Sequence, residues 1–181
     1  MARQDIDRGI FTIAGFLTPA ECGAYIDWTE GIGYEAAPVS LAGGPVMRPD
    51  IRNNTRVMVD APDRAAELWS RLALDVPLAL DGRRAIGLNE RLRFYRYGPG
   101  QRFAAHTDGC HRRANGEESL LTLMIYLNGG TRGGETRFEN AVVTPEPGLA
   151  LIFDHDLLHE GAEVLEGRKY VLRSDVMFGP R

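Results

Sequence analysis

The pattern of apolar and polar positions changes character once along the chain, near Asn89. Before that point, two stretches repeat their apolar residues at helical spacing. Thr18-Pro19-Ala20-Glu21 reads as a capping box with proline in the first turn, and it predicts a helix over Ala20 to about Glu30. Leu17, Cys22, Tyr25, Ile26 and Trp28 supply its buried side. Asp60 to Asp75 opens on an aspartate suited to cap a helix, carries Ala65, Leu68, Trp69, Leu72 and Ala73 at helical spacing, and stops before Pro77. Between these helices, Tyr34 to Asn54 holds Pro38, Gly43, Gly44, Pro45 and Pro49 without a sustained period, which predicts a long loop. Loops of that length in compact domains are commonly functional.

From Asn89 onward the period shortens to that of strands. Segments of β type run over Arg91-Tyr97, Arg102-His106, Leu120-Asn128, Glu135-Glu139, Ala141-Val143, Leu149-Phe153, His159-Leu165 and Lys169-Phe178. Turn signals separate them, among them Gly98-Pro99-Gly100, Asn128-Gly129-Gly130, Pro145-Glu146-Pro147-Gly148 and Glu166-Gly167. Short strands following two helices predict an α+β, mainly β fold, a double-stranded β-helix (jelly roll) with flanking amino-terminal helices. A chain of 181 residues fits one such domain, with 1–88 as helical support and lid loop and 89–178 as the jelly-roll core.

Composition narrows the function. Basic and acidic residues number 21 and 25, for a net charge of −4, and no Lys/Arg block is dense enough to follow a phosphate backbone, so nucleic acid is not expected as a ligand. No apolar run approaches membrane-span length and the amino terminus lacks a signal-peptide pattern, so a cytoplasmic location without membrane association is expected. Cys22 and Cys110, far apart in sequence, are expected to stay reduced. Twenty of the 21 basic residues are arginine, and Lys169 is the single lysine.

The chemistry concentrates in the strand-rich part. His106 and Asp108 stand two apart at the end of a predicted strand, so their side chains share a face. His159, 51 residues beyond Asp108, follows the apolar run Leu149-Phe153. Two histidines and one carboxylate form the facial triad of non-haem Fe(II) oxygenases, which leaves three positions on the metal open. A 2-oxo acid fills two of them through its carboxylate and keto oxygens, leaving one for O2. If the acid is 2-oxoglutarate, its far carboxylate needs a buried cation. Lys169, ten residues after His159, is the candidate, and Tyr97, nine before His106, and Tyr126 are candidate hydroxyl donors.

The segments RFYRYGPGQRFAAHTDG, TLMIYLNGGTRGGETRF and PGLALIFDHDLLHEGAEVLEGRKYVLRSDV resemble the catalytic domain of Fe(II)/2-oxoglutarate-dependent dioxygenases of the prolyl 4-hydroxylase type. The resemblance covers about Asn89 to Phe178. It implies iron held by His106, Asp108 and His159, 2-oxoglutarate held by Lys169 and Tyr97, and ascorbate as a possible requirement. Family members that halogenate lack the carboxylate ligand; Asp108 is present, which implies hydroxylation.

Other residues are expected around the pocket. Strand alternation lets only one of Arg168 and Lys169 face inward, and the resemblance implies Lys169, since its pairing with a tyrosine and the glycine before it match the family. Arg173 shares the face of Lys169, with the oxo acid, a substrate carboxylate or Asp175 as alternative partners. Tyr95 and Arg93 share the parity of Tyr97 and are candidates for the substrate side, as are His111 and Arg112 in the loop after the triad. Arg56, with Arg48, Arg52, Asn53 and Asn54, lies in the predicted lid. His155 is expected at the pocket mouth or on the surface. The substrate is a prolyl or other residue of a peptide, or a free amino acid or similar small molecule; a non-catalytic domain sensing a metal or oxo acid is the third alternative.

Overall fold

A computed structural model describes residues 2–41 and 43–180. Its frame is a ten-stranded antiparallel sheet. Across it, in order, lie Ala2–Asp7, Ile10–Ala14, Ala150–Asp154, Glu118–Tyr126, Lys169–Phe178, Arg91–Tyr97, Thr55–Asp60 and Glu35–Ala36. Arg83–Leu88 pairs with the far end of Lys169–Phe178, and Ala79–Leu80 pairs with Arg83–Leu88. A smaller sheet of four strands runs Phe103–His106, His159–Gly161, Thr136–Phe138 and Val142–Val143.

Alternation along the strands gives the large sheet two buried faces. On one side Phe94, Leu123, Ile125, Leu172, Val176 and Phe178 pack against helix α1 (Pro19–Ile32) and helix α2 (Pro62–Leu72). Phe94 stands 5.7 Å from the Tyr25 ring and 5.6 Å from that of Trp28. On the other side Tyr95, Tyr97, Phe153 and Val171 meet residues of the smaller sheet, including Phe103 and Phe138. The functional residues line the space between the two sheets.

The capping box forms as read: the Glu21 amide donates to the Thr18 hydroxyl and the Thr18 amide to the Glu21 carboxylate. Near Gly148 the chain passes so close to α1's entry that an added Cβ would lie 1.9 Å from the Leu17 carbonyl oxygen. The Phe16 and Leu17 amides both donate to the Gly148 carbonyl. Cys22 is buried and Cys110 exposed, both as free thiols. No helix among the described residues is long and apolar enough to cross a membrane.

The predicted strands after Asn89 form within about two residues of their expected bounds, except that His159-Leu165 divides into His159–Gly161 and Val164–Glu166. The first half departs from the sequence reading. It is not merely helical support: Ile10–Ala14 pairs with Ala150–Asp154, and Thr55–Asp60 with Arg91–Tyr97, so both extend the large sheet. Asp60 does not cap α2. It closes a strand and pairs with Arg91, while Ala61 takes the cap position without a side-chain hydrogen bond. The predicted loop contains the strand Glu35–Ala36 and the hairpin Val39–Leu41/Gly44–Val46.

Candidate active site

His106 ends one strand of the smaller sheet, Asp108 follows two residues beyond it, and His159 begins the neighbouring strand, with His106 and His159 directly opposed in register. Ligand atoms from the three side chains lie within 4.8 Å of one another. His106 Nε2 is 3.8 Å from Asp108 Oδ1, and His159 Nε2 is 3.8 Å from Asp108 Oδ2. Each imidazole is fixed from behind: Nδ1 of His106 lies 2.8 Å from the Ala104 carbonyl oxygen and Nδ1 of His159 2.9 Å from that of Leu157. A carbonyl only accepts, so each Nδ1 carries the proton and each Nε2 presents a lone pair to the common centre. Phe103 stacks on His106 at 3.6 Å, and Phe153 meets His159 at 4.6 Å.

Charge states match this geometry. Burial holds His106 down to about 4 and lowers His159 as well, so both rings are neutral at pH 7. Burial alone would raise the Asp108 carboxyl, but chiefly the nearby Arg173 guanidinium, together with the Thr122 hydrogen bond, brings it down to about 2. Thr122 Oγ1 donates to Asp108 Oδ2 at 2.6 Å, and Arg173 Nη2 lies 3.1 Å from Asp108 Oδ1. Two neutral nitrogens and one carboxylate, oriented by outer hydrogen bonds, fit a divalent iron ion.

The triad opens inward to a narrow recess of about 30 Å³ lined by Tyr97, Met124, Thr136 and Lys169. Such a space holds water and little else until its side chains part. Lys169 is 1% exposed, and its Nζ donates to the Gly134 carbonyl at 2.6 Å. The Tyr97 and Tyr126 rings flank it, with centroids 5.2 and 5.5 Å from Nζ. Burial lowers its pKa to about 8. A dry ammonium with one carbonyl partner fits the distal carboxylate of an oxo acid.

Outward, the triad opens to a cavity of about 570 Å³ whose wall includes Arg52, Arg56, Arg93, Tyr95 and Arg173. Arg173 bridges Asp108 and Asp175, and Arg93 holds the second oxygen of Asp175 at 2.9 Å. Both arginines therefore have carboxylate partners.

The structure sorts the remaining expectations. Arg168 is exposed while Lys169 faces inward, as alternation required. Tyr97 lines the recess, whereas Tyr126 stands behind it and donates its hydroxyl to Thr136. His111 and Arg112 are exposed and line neither recess nor cavity; Arg112 pairs with Glu118. Of the loop residues, Arg48 pairs with Asp50, Asn53 ties down Arg102, and Asn54 accepts from Arg52. His155 is not at a mouth or on the surface: it is 7% exposed, with Nε2 3.9 Å from Asp175 Oδ1. Thr122 and Gly134 escaped the sequence reading; a hydroxyl inside the apolar run Leu120-Tyr126 was the visible signal for the first.

Two histidines and a carboxylate between the sheets of a jelly roll are the arrangement that non-haem iron oxygenases use. Residues 92–174 match the sequence model of the 2OG-Fe(II) oxygenase superfamily. The chain is 25% identical to Prolyl 4-hydroxylase 2 of Arabidopsis thaliana over 88% of its own length and 64% of the relative's. It is 30% identical to Probable prolyl 4-hydroxylase 4 of the same plant over 45% of its own length and 39% of the relative's. It thus spans less than two thirds of these curated relatives. Among solved structures, it resembles the viral collagen prolyl hydroxylase of Paramecium Bursaria Chlorella virus-1 in complex with 2OG, with a TM-score of 0.66 at 21% identity, covering 94% of this chain and 96% of that one. The resemblance read from the sequence is borne out, and the fold is that of the prolyl hydroxylases.

Proposed function

We propose that the protein is an Fe(II)/2-oxoglutarate-dependent dioxygenase that hydroxylates a C–H bond of a prolyl or other amino-acid residue in a peptide. The observation that carries this reading is the placing of His106, Asp108 and His159 and of the desolvated Lys169 around one recess. The prolyl hydroxylase relatives support the peptide substrate; one solved neighbour, a Trichoplax adhaerens prolyl hydroxylase with TM-score 0.69 and 19% identity over 93% of this chain and 83% of its own, is in complex with a hypoxia inducible factor peptide.

In this reading the three triad side chains hold iron, Lys169 receives the distal carboxylate of 2-oxoglutarate, and Tyr97 donates its hydroxyl beside it. Burial keeps the Tyr97 phenol protonated, with its pKa pushed up to about 12. Tyr126 orients Thr136 in the recess wall. Thr122 and Arg173 hold the Asp108 carboxylate by its two oxygens, so its orientation is set before a metal arrives. Phe103, Phe138 and Phe153 screen the histidines from water. Tyr95, Arg93 and Arg56 line the side from which a substrate enters. Iron and 2-oxoglutarate held there would supply oxygen activation, with C1 of the oxo acid leaving as CO2, one atom of O2 ending in the new carboxylate of succinate and the other in the hydroxyl of the substrate. Ascorbate is the reductant expected to maintain the iron as ferrous.

The test is an anaerobic titration of the Fe(II)-loaded protein with 2-oxoglutarate, following the visible charge-transfer band of the chelate. A saturable band, weakened in Lys169→Met, is expected. Absence of a band with iron demonstrably bound overturns the reading.

A further inference from the structure

The outer cavity holds two cations that its own carboxylates do not neutralise. Arg93 and Arg173 are matched by Asp175 and Asp108. Arg52 and Arg56 have no ion pair among the described residues; Glu35, opposite Arg56 in the strand register, is exposed and makes none with it. Arg52 is 5% exposed, so the missing partner is not replaced by bulk water. Its guanidinium lies over the rings of both Tyr95 and Phe103, 4.4 Å from each centroid. Nε is taken by Asn54 Oδ1 at 2.7 Å, while the enclosed Nη2 finds no acceptor. Stacking and the Asn54 bond together leave the Nη1–Nη2 end as the free one, the edge that takes the two oxygens of a carboxylate. Arg56 lines the same wall, and burial, with Arg52 and Arg93 nearby, lowers its pKa, as unrelieved positive charge does. Both walls are built from the strand and loop that precede the triad, yet the cavity reaches His106 and Asp108 directly.

We infer that Arg52 and Arg56 form an anion-binding subsite on the outer side of the triad, and that the substrate bears a carboxylate seated there. The inference rests on the oxygenase reading only for the direction of substrate entry. The carboxylate has two possible sources: the α-carboxylate of a free amino acid or chain end, or an acidic side chain next to the oxidised residue of a peptide.

Calorimetry on the wild-type protein loaded anaerobically with Fe(II) and 2-oxoglutarate separates them with two pairs of probes. N-acetylproline against N-acetylprolinamide tests the first source; a blocked Gly-Pro-Asp-Gly peptide against its Gly-Pro-Asn-Gly counterpart tests the second. At least about tenfold tighter binding of the acid is expected in one pair, weakening as salt is raised. In Arg56→Gln, checked for folding by its melting temperature, the preference should fall below about twofold, and Arg56→Lys should recover part of it. No preference in either pair, or one that survives Arg56→Gln, overturns the subsite. The wild-type charge-transfer band tells this failure from the other: a band without acid preference sinks the subsite alone, whereas no band sinks the oxygenase reading.

Discussion

Two faces of one strand, Lys169–Phe178, are both covered, but only one of them carries charge. Tyr170, Leu172, Val176 and Phe178 face α1 and α2 among rings and aliphatic chains. Lys169 and Asp175, both buried, and the mostly covered Arg173 face the space between the sheets. On the first face any side chain of suitable shape contributes through the area it hides from water. On the second each charge needs a particular partner, and a charge left without a full set marks where something else binds. Asp175 is satisfied three ways, by Arg93, Arg173 and Asn89. Lys169 has a carbonyl alone.

The contrast predicts that changes on the charged face remove function and spare the fold, and the reverse on the apolar face. Asp108→Ala is the strongest case: iron retention after anaerobic dialysis should fall beyond the roughly 10–100-fold seen on losing outer partners of a ligand, with succinate formation abolished. Lys169→Met should weaken 2-oxoglutarate binding by about 2–5 kcal/mol, read from the charge-transfer titration, with a melting temperature equal to or above wild type, since a dry cation is replaced by an apolar chain. A fall in melting temperature would show that Lys169 holds the fold together. On the opposite face, Leu172→Ala should lower stability in urea by about 2–5 kcal/mol while iron affinity per folded molecule stays level.

Thr122→Val tests how far the charged face acts through its outer bonds. It should reduce iron affinity about 10–100-fold by freeing Asp108 Oδ2, with little change in unfolding. The smallest effect lies at the far side of the helix layer. Arg71, Thr18 and the helix cap lower the Glu21 carboxyl to about 2. A depressed carboxyl stabilises above its unfolded value, near 4.5, and the contribution is lost as pH falls from there toward 2. Glu21→Gln should therefore flatten the stability profile in that window, by no more than about 1 kcal/mol given its partial exposure and screening.

What the sequence revealed divides along the same line. The triad and Lys169 were legible because strand alternation and two turns suffice to bring such side chains to one face, and because histidine, aspartate and a lone lysine stand out among apolar neighbours. The sheet's outer strands were harder to read. Ile10–Ala14 is buried on both faces, so Ile10, Phe11, Thr12 and Ile13 show no alternation. Thr55–Asp60 does alternate in part, yet Asp60 also resembles a helix cap, and only its pairing across to Arg91 decides between the two. His155 was misplaced because its neighbours Asp154 and Asp156 suggest solvent, whereas its carbonyl is bound by the Asp108 amide and its ring is drawn inside. Arg52 likewise looked like one polar residue among several in a loop; its burial depends on Tyr95 and Phe103, remote in the chain.

The state of Lys169 bears on how fast and how selectively the recess fills. A lysine in water must shed its hydration shell each time it grips an anion, and part of the attraction is lost to that work. Here the folded chain already excludes that shell, and the Gly134 carbonyl accepts from the ammonium in its place. In the proposed reading an incoming dicarboxylate would exchange one neutral acceptor for a charged one at an already dry cation, whereas a monocarboxylic oxo acid too short to reach it would gain nothing from the exchange. Chain length, sensed by a lysine that folding has already dehydrated, would then select the oxo acid.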